Sequence, residues 1–221
     1  MGRRLPELKS LQQKFVDSRS PSYPVETPVV YNGALDDIYA DSEIRLLLVA
    51  DNPGRREQAA ENRRYLVGPS GKIAEKFFRD NPALNIDFRK NVIILNKTPI
   101  HTPRTADLRE LRSLGSVVLE TALDQSQQFM ANLLLEFHQA FATPAWIIGY
   151  SEMKRGGIFE TYTNELKTVY SGTNLKETIF LYRHFSMNQF TIDLKRQTMV
   201  KETLAQVLNR IGTAYRKKFL W

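Results

Sequence analysis

The chain contains no cysteine in 221 residues, which excludes disulfides, thiolate metal ligands, cysteine nucleophiles and cysteine-held iron–sulfur clusters. Its stability must come from packing. It also lacks any run of about 18 apolar residues, and no apolar stretch follows the arginines of the opening MGRRLPELKSLQQKF. The sequence therefore predicts neither export nor membrane insertion, and a cytoplasmic protein, nucleoid-associated if the cell is bacterial. The phosphate loop GxxxxGK[ST] and the dinucleotide fingerprint GxGxxG are both missing, so a nucleotide cofactor has no support. A GxSxG elbow is missing as well, which argues against a serine hydrolase. Acidic side chains are the scarcer sign, 24 against 31 lysines and arginines. The formal charge of +7 favours polyanionic partners such as nucleic acid.

The length fits one domain over residues 1–221, since single cores grow to roughly 250 residues. Leu5, Leu8, Leu11, Phe15 and Val16 recur at helical spacing and predict an N-terminal helix packed on the body of the fold. Prolines 21, 24 and 28 break it and predict an extended surface segment, the whole of 1–43 lying against the core.

Four short runs, IRLLLVA (44–50), NVIILN (91–96), AWIIGY (145–150) and TIFLY (178–182), are almost wholly apolar. Continuous rather than alternating hydrophobicity predicts strands covered on both faces, as in a parallel sheet. Helical periodicity fills the intervals: Ile73, Ala74, Phe77 and Phe78; Met130 to Phe141; residues 157–170; and a last stripe of Val200, Leu204, Val207, Leu208, Ile211 and Tyr215. Strands alternating with helices predict an α/β fold, a three-layer α/β/α sandwich around a mainly parallel four-stranded sheet.

In open sheets of this kind ligands bind beyond the carboxyl ends of the strands. The polar clusters DNPG, NKTPIHTP, YSEMKRGG and RHFSMNQF each follow one of the four runs. In the first, Pro53 and Gly54 force an abrupt turn that holds Asp51 and Asn52 on stiff backbone, although Asp and Asn serve simple turns equally well. Asn96 ends its strand with an acceptor and two donors, the set needed to read a base edge. His184 follows the fourth strand after one intervening residue, Arg183, where it can donate to a developing anion or move a proton. His138 sits between core positions and reads as a plain helix residue, and His101, in a proline-flanked loop, is a candidate to line the cleft without a comparable argument for a role. Ser186 suits a phosphate. Met187 at a loop tip suits an apolar wedge in a duplex, or else tucks inward. Gly68, Ser70, Gly71 and Lys72 open a helix whose free backbone N–H groups suit phosphate.

Taken together, ADNPG, YLVGPSGKIAEKFF, IILNKTP and HFSMN resemble the motifs of the uracil-DNA glycosylase superfamily in order, spacing and strand context over roughly residues 44–190. The resemblance implies a monofunctional glycosylase that flips uracil, or a related damaged pyrimidine, out of DNA and hydrolyses its N-glycosidic bond without metal or cofactor; nothing in the sequence suggests more than a monomer. Asp51, Asn52 and His184 would be catalytic; Pro53, Gly54, Tyr65, Leu66 and Asn96 would hold the base; Ser70, Gly71, Lys72, Lys97, Ser186, Met187 and Asn188 would contact DNA. No lysine is evidently placed for Schiff-base chemistry. Substituting Asp51 or Asn52 is expected to lower base release and leave the fold intact. The chain departs from the family in having Phe185 where most relatives have proline, and Leu66 beside Tyr65 where the best-known members place a stacking aromatic ring. A non-catalytic relative that binds DNA or protein through the same cleft is the alternative.

Overall fold

A computed structural model describes residues 5–18, 23–114 and 116–221. The N-terminal helix α1 spans Leu5–Asp17 and buries Leu8, Phe15 and Val16. Of the proline segment, Pro21 lies outside the described residues. From Tyr23 on the chain is extended, and an antiparallel bridge between Val29 and Ile100 fastens it to the body. Then follow β1 (Leu46–Ala50), α2 (Pro69–Asp80), β2 (Val92–Asn96), α3 (Asp107–Ser113), α4 (Val117–Phe141), β3 (Ala145–Ile148), α5 (Glu160–Val169), β4 (Ile179–Tyr182), α6 (Gln189–Gln197) and α7 (Leu204–Phe219).

The four strands form one all-parallel sheet in the order β2-β1-β3-β4, with seven α-helices among the described residues around it. Successive side chains along a strand point to opposite faces, and both faces are packed here. Leu47, Val49, Ile93, Leu95 and Ile147 join α1, α3, α4 and α5 in one core. Leu46, Leu48, Ile94, Trp146 and Ile148 join α2, α6 and α7 in the other. The double cover accounts for the unbroken apolar runs in the sequence, and the three-layer α/β/α sandwich is what the patterning predicts.

The structure corrects several expectations. Helix α4 begins thirteen residues before Met130, at Val117. Helices α3 and α6 were not anticipated. Val200, placed above on the stripe of the last helix, lies outside it and is 92% exposed. The reason is the cap: Thr203 accepts from the Gln206 amide while the Gln206 side chain accepts from the Thr203 amide, a capping box that starts α7 at Leu204. No helix among the described residues is long and apolar enough to cross a membrane.

His138 is buried in α4, its Nδ1 2.9 Å from the Tyr170 hydroxyl and its Nε2 2.9 Å from Thr178 Oγ1. Burial pushes its imidazole, and that of buried His101, down to about 4. Both histidines therefore bind fewer protons folded than unfolded between about pH 4 and their ordinary value of about 6.5. Stability must rise with pH across that window and fall on acidification through it. Urea midpoints at pH 7 and pH 4.5 are expected to differ in that direction, and His138→Gln should flatten the slope.

Candidate active site

The strand order reverses direction at the centre of the sheet: β1 leads outward to β2, and β3 returns to the other side of β1. A crevice forms where parallel strands part in this way, and the polar residues that follow β1 meet there with those that follow β2 and β4. The resulting cleft has a volume of about 570 Å³. Asp51, Asn52, Gly54, Leu66, Ser70, His184, Ser186 and Met187 line it, as the sequence predicts. Arg55, Arg56 and Arg104 stand at its walls, giving it a cationic border that suits an anionic ligand.

Asp51 leaves β1 and meets Lys97, which leaves β2 at the matching level, since Ala50 and Asn96 are paired in the ladder. Lys97 Nζ lies 2.5 Å from Asp51 Oδ1, 2.6 Å from the Ile148 carbonyl and 3.3 Å from the Gly149 carbonyl. The other carboxylate oxygen, Oδ2, is 3.5 Å from Thr105 Oγ1. Gly149 closes the arrangement. Its φ of +79° is strained for any other residue, and a Cβ there would sit 2.6 Å from Asp51 Oδ1.

Asn52 donates from Nδ2 to Thr102 Oγ1 at 2.9 Å and lies 3.3 Å from the carbonyls of Ile100 and Pro53. Carbonyls only accept, so the amide nitrogen must be the atom facing them. Oδ1 is then the acceptor that Asn52 offers to the cleft.

His101 reaches the Pro53 carbonyl from behind at 2.9 Å through Nδ1. With Nδ1 as donor and the ring neutral, Nε2 accepts from the Tyr23 hydroxyl at 2.7 Å. The Arg55 guanidinium stacks on the Tyr23 ring at 4.5 Å. The N-terminal segment thus braces the turn that carries Asp51 and Asn52. His101 is buried and does not line the cleft.

His184 receives the Ser186 backbone N–H at its Nδ1 at 3.0 Å, with Ser186 Oγ 2.9 Å away. An amide can only donate, so Nδ1 is unprotonated and the ring's proton sits on Nε2. Burial lowers the imidazole pKa, Asp51 opposing and Lys97 adding to the effect. The site therefore holds a neutral histidine with one N–H to give. Phe185, standing where proline is usual in the resembling family, is fully buried and stacks on Phe190 with centroids 4.4 Å apart. It anchors the loop from inside. Beyond it Met187 is 81% exposed, and both Met187 and Asn188 adopt left-handed backbone, φ +50° and +58°. Of the two readings of Met187, the outward one holds.

Other expected site residues do not join the cleft. Asn96 shares the face of Val92 and Ile94, is 2% exposed and lies away from the cleft lining. Tyr65 is buried with its hydroxyl donating to the Val30 carbonyl, so of the pair only Leu66 faces the cleft. Pro53 and Gly71 are buried, and Lys72 and Asn188 are exposed outside the lining. Lys97, expected to touch DNA, has a side chain 0% exposed, and a phosphate cannot reach it. A lysine does stand at the carboxylate, but its N–H groups are committed to acceptors. Comparison of the chain with protein-family models and with curated proteins found no match.

Residues that the sequence did not single out complete the walls. Glu57 is buried, with Oε1 accepting from the Gly68 amide at 3.0 Å, and Thr102, Arg104 and Thr105 descend from the loop after β2. Lys97 had a legible signal. Two apolar strands each end in a charged or polar pair, and opposite charges at matched strand ends are placed to meet. Among the described residues no group of three or more His, Asp or Glu side chains is arranged to hold a metal ion.

Proposed function

We propose that the protein is a monofunctional DNA glycosylase that hydrolyses the N-glycosidic bond of uracil, or of a related damaged pyrimidine, in DNA. One observation carries the reading: a carboxylate, an amide acceptor and a neutral histidine N–H, from the ends of different strands, converge on one cleft. Its 570 Å³ falls in the range of small-ligand sites. The cationic rim of Arg55, Arg56 and Arg104 attracts the phosphate backbone, and exposed Met187 takes the place of the extruded base.

In the cleft the bond between C1′ and the base nitrogen lengthens. The electron pair leaves with the base, and the sugar becomes cationic. The Nε2–H of His184 donates to the base oxygen on which negative charge develops. A water accepted by Asn52 Oδ1 and Asp51 Oδ2 attacks C1′; its oxygen forms the new bond and its proton passes to the carboxylate. The base departs as an anion and takes up a proton from solvent while Asp51 returns the water's proton to solvent, leaving the free base and an abasic sugar. Lys97 takes no covalent part, because its amine is enclosed by acceptors.

Incubation with an oligonucleotide bearing a single uracil, followed by alkali, is expected to cut the strand at that position, with no cut before alkali. Absence of alkali-labile sites with uracil, mismatched and oxidised pyrimidine substrates refutes the reading, and DNA binding retained in that case identifies a non-catalytic module. Met187→Ala is expected to slow release from duplex by about tenfold and release from single strands little, since only the duplex must be opened. Its melting temperature should equal that of the wild type, because the side chain contributes no core. Equal losses on both substrates would remove the wedge role.

A further inference from the structure

We infer that Lys97 is a positioning residue for this reaction, whose ammonium grips one oxygen of Asp51 and thereby turns the other toward the cleft. The inference rests on the glycosylase reading for its consequence, but its geometry stands apart from it. An ammonium has three N–H groups, and three acceptors surround Lys97 Nζ: Asp51 Oδ1, the Ile148 carbonyl and the Gly149 carbonyl. The Phe159 ring lies 5.0 Å from the same nitrogen, adding a face that favours a cation. Every direction around Nζ is thus taken by a group that suits the charged form, although the side chain is wholly buried.

The three acceptors come from the ends of two neighbouring strands, β1 and β3, while Lys97 itself extends β2. One side chain therefore ties together the three strand ends that border the switch point. Asp51 cannot rotate without abandoning this contact, and the missing Cβ of Gly149 leaves room for it in that one orientation. Oδ2 is the oxygen left over, beside Thr105 Oγ1. A carboxylate that must take a proton from an attacking water needs its orientation fixed to a fraction of an ångström. Burying a lysine is costly, and a simple turn after β1 has no need of one.

The absence of cysteine makes the test site-specific. Lys97→Cys, alkylated in the unfolded state with 2-bromoethylamine and refolded, restores an amine of lysine length, whereas alkylation with iodoacetamide supplies similar bulk without charge. Lys97→Met and the uncharged adduct are expected to lose about 100-fold in kcat, with KM for uracil DNA unchanged, and the aminoethylated protein should recover most of it. Equal activity of the charged and uncharged adducts, or a loss confined to KM, overturns the inference. Should Lys97→Met not fold, the two adducts decide by themselves.

A measurement without substrate separates this inference from the glycosylase reading. Nitrogen NMR of the free protein at neutral pH should show Lys97 as a protonated, slowly exchanging ammonium. Burial lowers its pKa and Asp51 opposes that, so Asp51→Asn should abolish the signal. A wild type without the signal, or a variant that keeps it, refutes the grip. If the protein releases no base yet shows this pattern, the glycosylase reading fails and the grip of Lys97 on Asp51 stands.

Discussion

Asp51→Ala is expected to lower base release by about 1,000-fold and also to lower the stability of the protein by about 3–5 kcal/mol. The first effect follows from the loss of the group that receives the water's proton. The second comes from Lys97. Its side chain is completely buried and that of Asp51 only 16% exposed, so removing the carboxylate leaves a buried amine that folds only by giving up its proton, with nothing but two carbonyls and a ring beside it. Removing one member of a buried pair costs far more than removing both. The double variant Asp51→Ala/Lys97→Met is therefore expected to regain most of the stability and none of the activity. Urea denaturation and single-turnover release on the three proteins check both halves. An Asp51→Ala protein as stable as wild type would mean that the pair contributes little to the fold. The reading of the sequence, in which substitutions at this position spare the fold, is revised on this point; Asn52, half-buried and bonded to Thr102, retains the milder expectation.

Gly71→Ala should destabilise the protein by at least about 3 kcal/mol, at or beyond the upper end of ordinary overpacking. A Cβ on Gly71 would lie 1.5 Å from the carbonyl oxygen of Leu66 and 2.2 Å from its carbonyl carbon. These are backbone atoms and cannot step aside as a side chain tip can. Leu66 itself has a left-handed backbone, φ +52°, and its carbonyl accepts from Arg89 at 2.8 Å. The methyl group must push this turn off α2 or break that bond. Leu66 and Gly68 both line the cleft, so the folded fraction should also release base more slowly. Thermal melts against the neighbouring exposed Lys72→Ala, expected within about 0.5 kcal/mol of wild type, isolate the effect. A Gly71→Ala protein that melts with the control would contradict the tight turn.

Gly71 also marks where sequence reasoning reached its limit. Beside Ser70 and Lys72 at a helix start it read as a phosphate contact, and the structure gives it a packing role instead. The architecture was legible because each strand is covered on two sides and so spells an unbroken apolar word, which a half-exposed strand would not. Asp51, Asn52 and His184 were legible for a related reason. A polar residue directly after such a strand has no core to enter and comes out at the carboxyl edge. What one strand does not reveal is which face its last residue takes. Asn96 and Lys97 are adjacent and point opposite ways, and neither reaches the cleft surface. Helices α3 and α6 are only 7 and 9 residues long, too short for their periodicity to stand above the polar residues around them. The brace from Tyr23 through His101 to Pro53 joins positions 78 and 48 residues apart, and no local pattern carries such a contact.

The loop after β4 has a consequence of another kind. Phe185 is stacked on Phe190 inside the core, and the Asn188 amide closes back on the Phe185 carbonyl at 3.0 Å. Two successive residues at its tip already hold the unfavourable left-handed bend. The conformational freedom of this projection is thus surrendered when the chain folds, before any encounter. It meets whatever it touches as a rigid tooth, and contact there need not be slowed by the ordering of a floppy strand of chain.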